Sequence, residues 1–102
     1  MTEWTFLTNH AHVLICVAEA PQARVRDIAE TVGITERAAH RILAELESDG
    51  FLTRQRDGRR NVYALNTEKR LRHPMDREHR VAELIGLFHS DAGDDQDTDT
   101  ER

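Results

Sequence analysis

The sequence predicts a mainly α chain with one small β-hairpin. Three observations predict it: two short runs of helical apolar periodicity parted by Gly33, a tight-turn signal at Asp57-Gly58, and further apolar helical runs on both flanks. These place a helix-turn-helix over residues 25–50, a hairpin over 52–65 and a last helix over 74–89. All lie in one domain spanning 1–90, followed by an acidic tail over 91–102.

Residues 1–7 form a short arm with Trp4 and Phe6, two of the five aromatic residues. A tryptophan near a chain end is expected to pack on something, and its own core and a second subunit are both open as partners. Residues 8–20 read as the first helix, closed by Pro21. Leu7, Ala11, Leu14, Ile15 and Ala18 share one apolar sector, and Val13, Cys16, Val17 and Ala20 a second. A helix apolar on two sides needs two packing partners, one of which can be a neighbouring subunit. In the connection after Pro21, residues 23–25 are expected to run extended and pair with the later hairpin.

Val25, Ile28, Ala29 and Val32 recur at i, i+3, i+4 and i+7, the stripe of a short amphipathic helix. Gly33 ends it, because a left-handed residue costs glycine least. Ile34 plugs the corner and Thr35 is placed as the N-cap of a second helix. That helix repeats the stripe with Ala39, Ile42, Leu43 and Leu46 until Gly50 stops it. At 100° per residue, Arg37, His40, Arg41, Ala44 and Ser48 fall on the opposite side. A ridge that is cationic at its start and slim further along suits a DNA major groove, where arginine bridges guanine O6 and N7. Base readout is therefore assigned to Arg37, His40 and Arg41. An ordinary pair of core helices is the plainer alternative.

The segment FLTRQRDGRRNVYAL after Gly50 reads as a hairpin with its apolar residues at the base and Arg54, Arg56, Arg59 and Arg60 toward the tip. That arrangement anchors one end and leaves a cationic end for the backbone or the minor groove. Thr35, together with Arg24 and Arg26 at the start of the first motif helix, joins this backbone-contacting set. Solvated surface charge is the plainer account of the arginines. Residues 66–73 are a polar link, and Pro74 suits the first position of the last helix. Val81, Leu84, Ile85 and Phe88 make its stripe.

Small Ala29, Gly33 four residues on, and apolar Ile28, Val32, Ile34, Ala39 and Ile42 resemble the helix-turn-helix of bacterial winged-helix regulators. The LAELESDGFL run resembles the exit of the MarR and ArsR types. With the hairpin as wing, the resemblance covers residues 8–65. It implies a winged helix-turn-helix with an N-terminal helix and a C-terminal dimerisation helix. The implied function is a sequence-specific regulator that binds double-stranded DNA as a homodimer on an inverted-repeat operator. Trp4, Phe6, Val13, Val17, Val81, Leu84, Ile85 and Phe88 are then the expected dimer contact. The alternative for the last helix is that it caps its own domain.

The net charge of −5 is confined to the tail, where five Asp and one Glu face one Arg, so residues 1–90 are neutral as a body. Within it, residues 52–65 carry four arginines against Asp57 alone. Local sign decides where phosphate docks. The tail has no apolar residue beyond Ala92 and is expected to be disordered. No run has membrane-spanning length and no signal pattern opens the chain, so a cytoplasmic protein is expected. The lone Cys16 fits a reducing compartment.

His12 and Cys16 lie one turn apart with His10 nearby, which falls short of a closed four-ligand metal set. His73, His79 and His89 share no helical face. No metal and no cofactor is assigned, and a small-molecule or metal effector is left open. The chain carries no glycine-rich phosphate loop and no nucleophile with a base at hand, so an enzyme is not expected. Two other functions stay open: a winged-helix protein-interaction module without DNA binding, and a metal- or redox-responsive repressor.

Overall fold

The computed structural model describes residues 4–88. In chain order it consists of α1 (Asn9–Glu19), α2 (Val25–Val32), α3 (Glu36–Ser48), strands β1 (Leu52–Asp57) and β2 (Arg60–Leu65), and α4 (Val81–Phe88). His89 and the acidic tail expected to be disordered lie outside the described residues.

Local chemistry sets the helix boundaries. Thr8 caps α1 by accepting the amide of Ala11, and Thr35 caps α3 by accepting the amide of Ala38 at 3.0 Å. Gly33 closes α2 in the left-handed region at φ 90°, and its amide returns to the carbonyl of Ala29. The stripes expected on α2 and α3 are buried where they should be: Ile28 and Ala29 on the first, Ala39, Ile42, Leu43 and Leu46 on the second.

The hairpin is antiparallel, in a register running from Leu52 opposite Leu65 to Asp57 opposite Arg60. Its two-residue loop is Gly58-Arg59, one position later than an Asp-Gly turn would place it. Gly58 alone takes positive φ, at 67°, as a turn with glycine at its first central position requires. Leu52 and Tyr63 bury the base, and every residue from Thr53 to Arg60 is exposed. The extended pairing expected at residues 23–25 does not form a third strand. The hairpin is held there by one bond, from the Tyr63 amide to the Pro21 carbonyl at 3.0 Å.

One core joins these elements: Val13, Leu14 and Val17 of α1, Ile28 of α2, Ile42, Leu43 and Leu46 of α3, then Phe51, Leu52, Tyr63 and Val81. Each large aliphatic side chain removed from water here contributes about 1.5–3 kcal/mol. This corrects part of the expected subunit contact. Val13, Val17 and Val81 have 0% exposure and belong to the protomer's own interior. The core takes Val13 and Val17 from one apolar sector of α1 and Leu14 from the other, because its contact face runs between the two.

The last helix is shorter than expected, beginning at Val81 and not at Pro74. Residues 73–79 form successive turns, with the Asp76 amide on the His73 carbonyl and the His79 amide on the Asp76 carbonyl, both at 2.8 Å. Arg70 and Arg80 face each other as an isolated antiparallel bridge, and the Val81 amide reaches the Lys69 carbonyl. Met75 is the sole apolar side chain of that run and is exposed, so a helix there would have no face to bury. The turns satisfy the backbone instead.

Candidate nucleic-acid interface

Burial of Ala39, Ile42, Leu43 and Leu46 turns the other side of α3 outward. Arg37, His40, Arg41, Ala44 and Ser48 are all exposed there. The three cationic or titratable side chains occupy the first half of the helix. Ala44 and Ser48 leave the second half slim enough for close approach of a flat surface. Thr35 spends one lone pair on its cap, and its hydroxyl proton remains available to an acceptor outside the helix.

Some of these groups are held by neighbours. His40 Nε2 lies 3.9 Å from Glu36, and Arg41 Nη1 lies 3.7 Å from Glu45, both one turn away on α3. Arg54 stands 4.0 Å from Glu47, which draws it back toward the helix. Arg56 folds over the turn, its Nε donating to the Gly58 carbonyl at 3.3 Å. Exposed pairs of this kind are weak, so a phosphate can displace the carboxylate. Among the described residues, Arg24, Arg26, Arg37, Arg59 and Arg60 have no carboxylate within 4.0 Å.

The fold also brings together residues far apart in sequence. Arg24, at the N-cap of α2, lines one hollow of about 360 Å³ with Arg59 and Arg60 of the hairpin and with Tyr63 beneath them. The sequence marked all three arginines but not their shared site, since it needs the hairpin to fold back onto the start of α2. Arg26 is exposed in the first turn of that helix.

Two features were not foreseen from the sequence. His10 on α1 pairs with Glu45 on α3 at 2.7 Å, and Arg72 pairs with Asp49 at 2.7 Å. Both span more than twenty residues, so no local spacing announces them. Beside these pairs runs a groove of about 850 Å³ between α1, the end of α3 and α4, with Phe6, Leu14, Phe51 and Leu84 among its apolar walls.

The remaining residues of the expected subunit contact lie at the surface or its edge. Trp4 and Phe6 are 70% and 91% exposed and stack edge to face at 5.0 Å, so they do not fold back into the core. Leu84 and Ile85 are half-buried, and Phe88 is exposed beside Leu87. Among the described residues no three His, Cys, Asp or Glu side chains are grouped to hold a metal ion. Cys16 is half-buried, and burial raises its thiol pKa above the ordinary value. A hydrogen bond with Thr31 opposes that rise and the charge of Glu19 adds to it. No described helix is long and apolar enough to cross a membrane.

Similarity to known proteins agrees with this architecture. The MarR family model matches residues 8–62, more than half of the chain. No curated protein gives a match. The PcaV transcriptional regulator of Streptomyces coelicolor, solved with its natural ligand, is 28% identical with a TM-score of 0.52, over 85% of this chain and 62% of that one. MepR of Staphylococcus aureus, a transcription regulator of the multidrug efflux pump MepA, is 20% identical with a TM-score of 0.56, over 79% and 53%. Lactococcus lactis ZitR in complex with DNA is 20% identical with a TM-score of 0.52, over 64% and 46%. For MepR and ZitR the likeness is one of fold, and the chain spans roughly half the length of each. The helix-turn-helix with its hairpin wing and the match over residues 8–62 together place this chain in the MarR family, a family of winged-helix transcription regulators and not of enzymes.

Proposed function

We propose that this chain is a sequence-specific regulator that binds double-stranded DNA as a homodimer on an inverted-repeat operator. One observation carries the reading: Arg37 and Arg41 stand exposed on α3 opposite the side that the core covers, with His40 exposed on the flank beside them. Such a ridge presents donors to base edges, while Thr35 and the arginines at 24, 26, 54, 56, 59 and 60 supply contacts to the backbone or the minor groove. The DNA complex of ZitR, a protein of the same fold, supports the reading.

The homodimer rests on apolar groups left uncovered near the first and last described residues. Trp4 and Phe6 before α1, and Leu87 and Phe88 at the end of α4, are large apolar groups facing water. Leu84 and Ile85 continue that surface toward the core. A two-fold contact through these groups sets the two α3 ridges about 10 bp apart, or a multiple of it, and so calls for an inverted repeat.

Selection of bound duplexes from a random pool, followed by retardation measurements over a salt series, tests the function. The expected result is an enriched inverted repeat whose affinity falls steeply with salt. A chain that gives no enrichment and no salt-sensitive retardation is a protein-interaction module instead. Sedimentation of the free protein tests the dimer, and a monomer at tens of micromolar overturns that part.

A further inference from the structure

The hollow lined by Arg24, Arg59 and Arg60 concentrates three positive charges, and among the described residues none of the three has a carboxylate partner. The same chain carries a segment of opposite sign. Residues 91–102 hold Asp91, Asp94, Asp95, Asp97, Asp99 and Glu101 against Arg102, with no large apolar side chain. Residues 1–90 are neutral as a whole, so the tail carries the chain's entire net negative charge, opposite in sign to the hollow.

We propose that residues 91–102 dock in cis on the Arg24, Arg59 and Arg60 hollow and compete there with duplex DNA. The last carboxylate, Glu101, lies thirteen residues beyond Phe88 and at about 3.3–3.6 Å each can stand up to roughly 43–47 Å from it. That reach is comparable with the 43 × 35 × 31 Å dimensions of the described residues. Tethering raises the local concentration of the acidic segment to the order of millimolar, which populates contacts too weak to form between separate molecules. Tyr63 and Asn61 line the same hollow. Carboxylates held there occupy the donors that phosphates would use, so the segment weakens binding to any duplex without altering which bases are preferred.

The docking itself needs no DNA and is tested without it. Full-length protein is compared with the full-length variant D91N, D94N, D95N, D97N, D99N, E101Q by backbone amide NMR at low and high salt. Docking shifts the amides of Gln22 to Val25 and of Arg59 to Tyr63 at low salt, and the differences fade at high salt. Shifts confined to the residues beside the tail overturn the proposal, even if the variant binds DNA more tightly, because simple repulsion of DNA by a free acidic segment gives that result. The competition with DNA rests on the reading of this face as a DNA interface. With docking present, neutralising the tail raises affinity for random duplex on the order of tenfold at about 50 mM salt and less than about twofold at 300 mM. Amide shifts in the hollow with no DNA binding by either protein leave the docking standing and sink the DNA reading alone.

Discussion

His10 donates through Nε2 to Glu45 at 2.7 Å and so ties α1 to the helix that carries the arginine ridge. The His10 hydrogen bond holds the Glu45 carboxyl below its ordinary value of 4.5. Desolvation opposes this, and the charges of Arg41 and His10 lower it further. His79 has the same effect on Glu83. A carboxyl with a depressed folded pKa stabilises the protein above its unfolded pKa, and the benefit is lost as pH falls through the folded value. Glu45→Gln should therefore lower Tm slightly near neutral pH, and its difference from the parent should vanish well below pH about 4. A difference that grows on acidification would contradict this pairing.

Arg41 and Arg59 are expected to fail in different ways. Arg41→Ala should cost about 1–3 kcal/mol on the operator and relax preference at one base position. Arg59→Ala should weaken operator and random duplex alike and reduce the salt slope by about one unit. Titrations of both variants on both DNAs decide it, and equal losses everywhere would remove Arg41 from base readout.

Ile42 is 2% exposed at the centre of the buried side of α3. Ile42→Ala should destabilise the fold by about 2–5 kcal/mol, a large share of what a domain of this size has. Urea unfolding measures it, and a loss under about 1 kcal/mol would mean that the core is not packed as described.

The corner between α2 and α3 depends on backbone geometry and a cap. A Cβ at Gly33 meets nothing within 4 Å, so the whole penalty of Gly33→Ala comes from its φ of 90° and should be about 1 kcal/mol. Thr35→Ala removes the oxygen that accepts the Ala38 amide and should cost about 0.5–2 kcal/mol. Thermal melts of the two variants check both values, and an unchanged Tm in Thr35→Ala would remove the cap from the account.

Cys16 bears on the redox reading. Burial raises its thiol pKa, so little thiolate exists near neutral pH and alkylation should be slow in the folded chain, rising sharply in denaturant. Rapid alkylation of native protein would contradict this and favour a redox role for Cys16.

The fold was legible wherever the determining interactions are local. Helical periodicity with Gly33 and Thr35 delimits α2 and α3, since caps and left-handed glycines act within one turn. The arginine ridge on α3 follows from the same periodicity, because burying one side of a helix exposes the other. Position 58 was legible as a turn, while the exact loop followed from strand pairing at Asp57 and Arg60. The helix expected from Pro74 onward does not form over 74–80, because a proline suited to a first helical position marks a start but supplies no apolar face to bury.

What the sequence by itself determined is the order of elements and the side of α3 that faces outward. Tertiary structure alone decided that Val13, Val17 and Val81 are interior, that Arg24 shares a hollow with Arg59 and Arg60, and that Glu45 meets His10. Periodicity states that a side chain will be covered but not by what, and that answer comes from partners tens of residues away whose approach depends on every intervening turn.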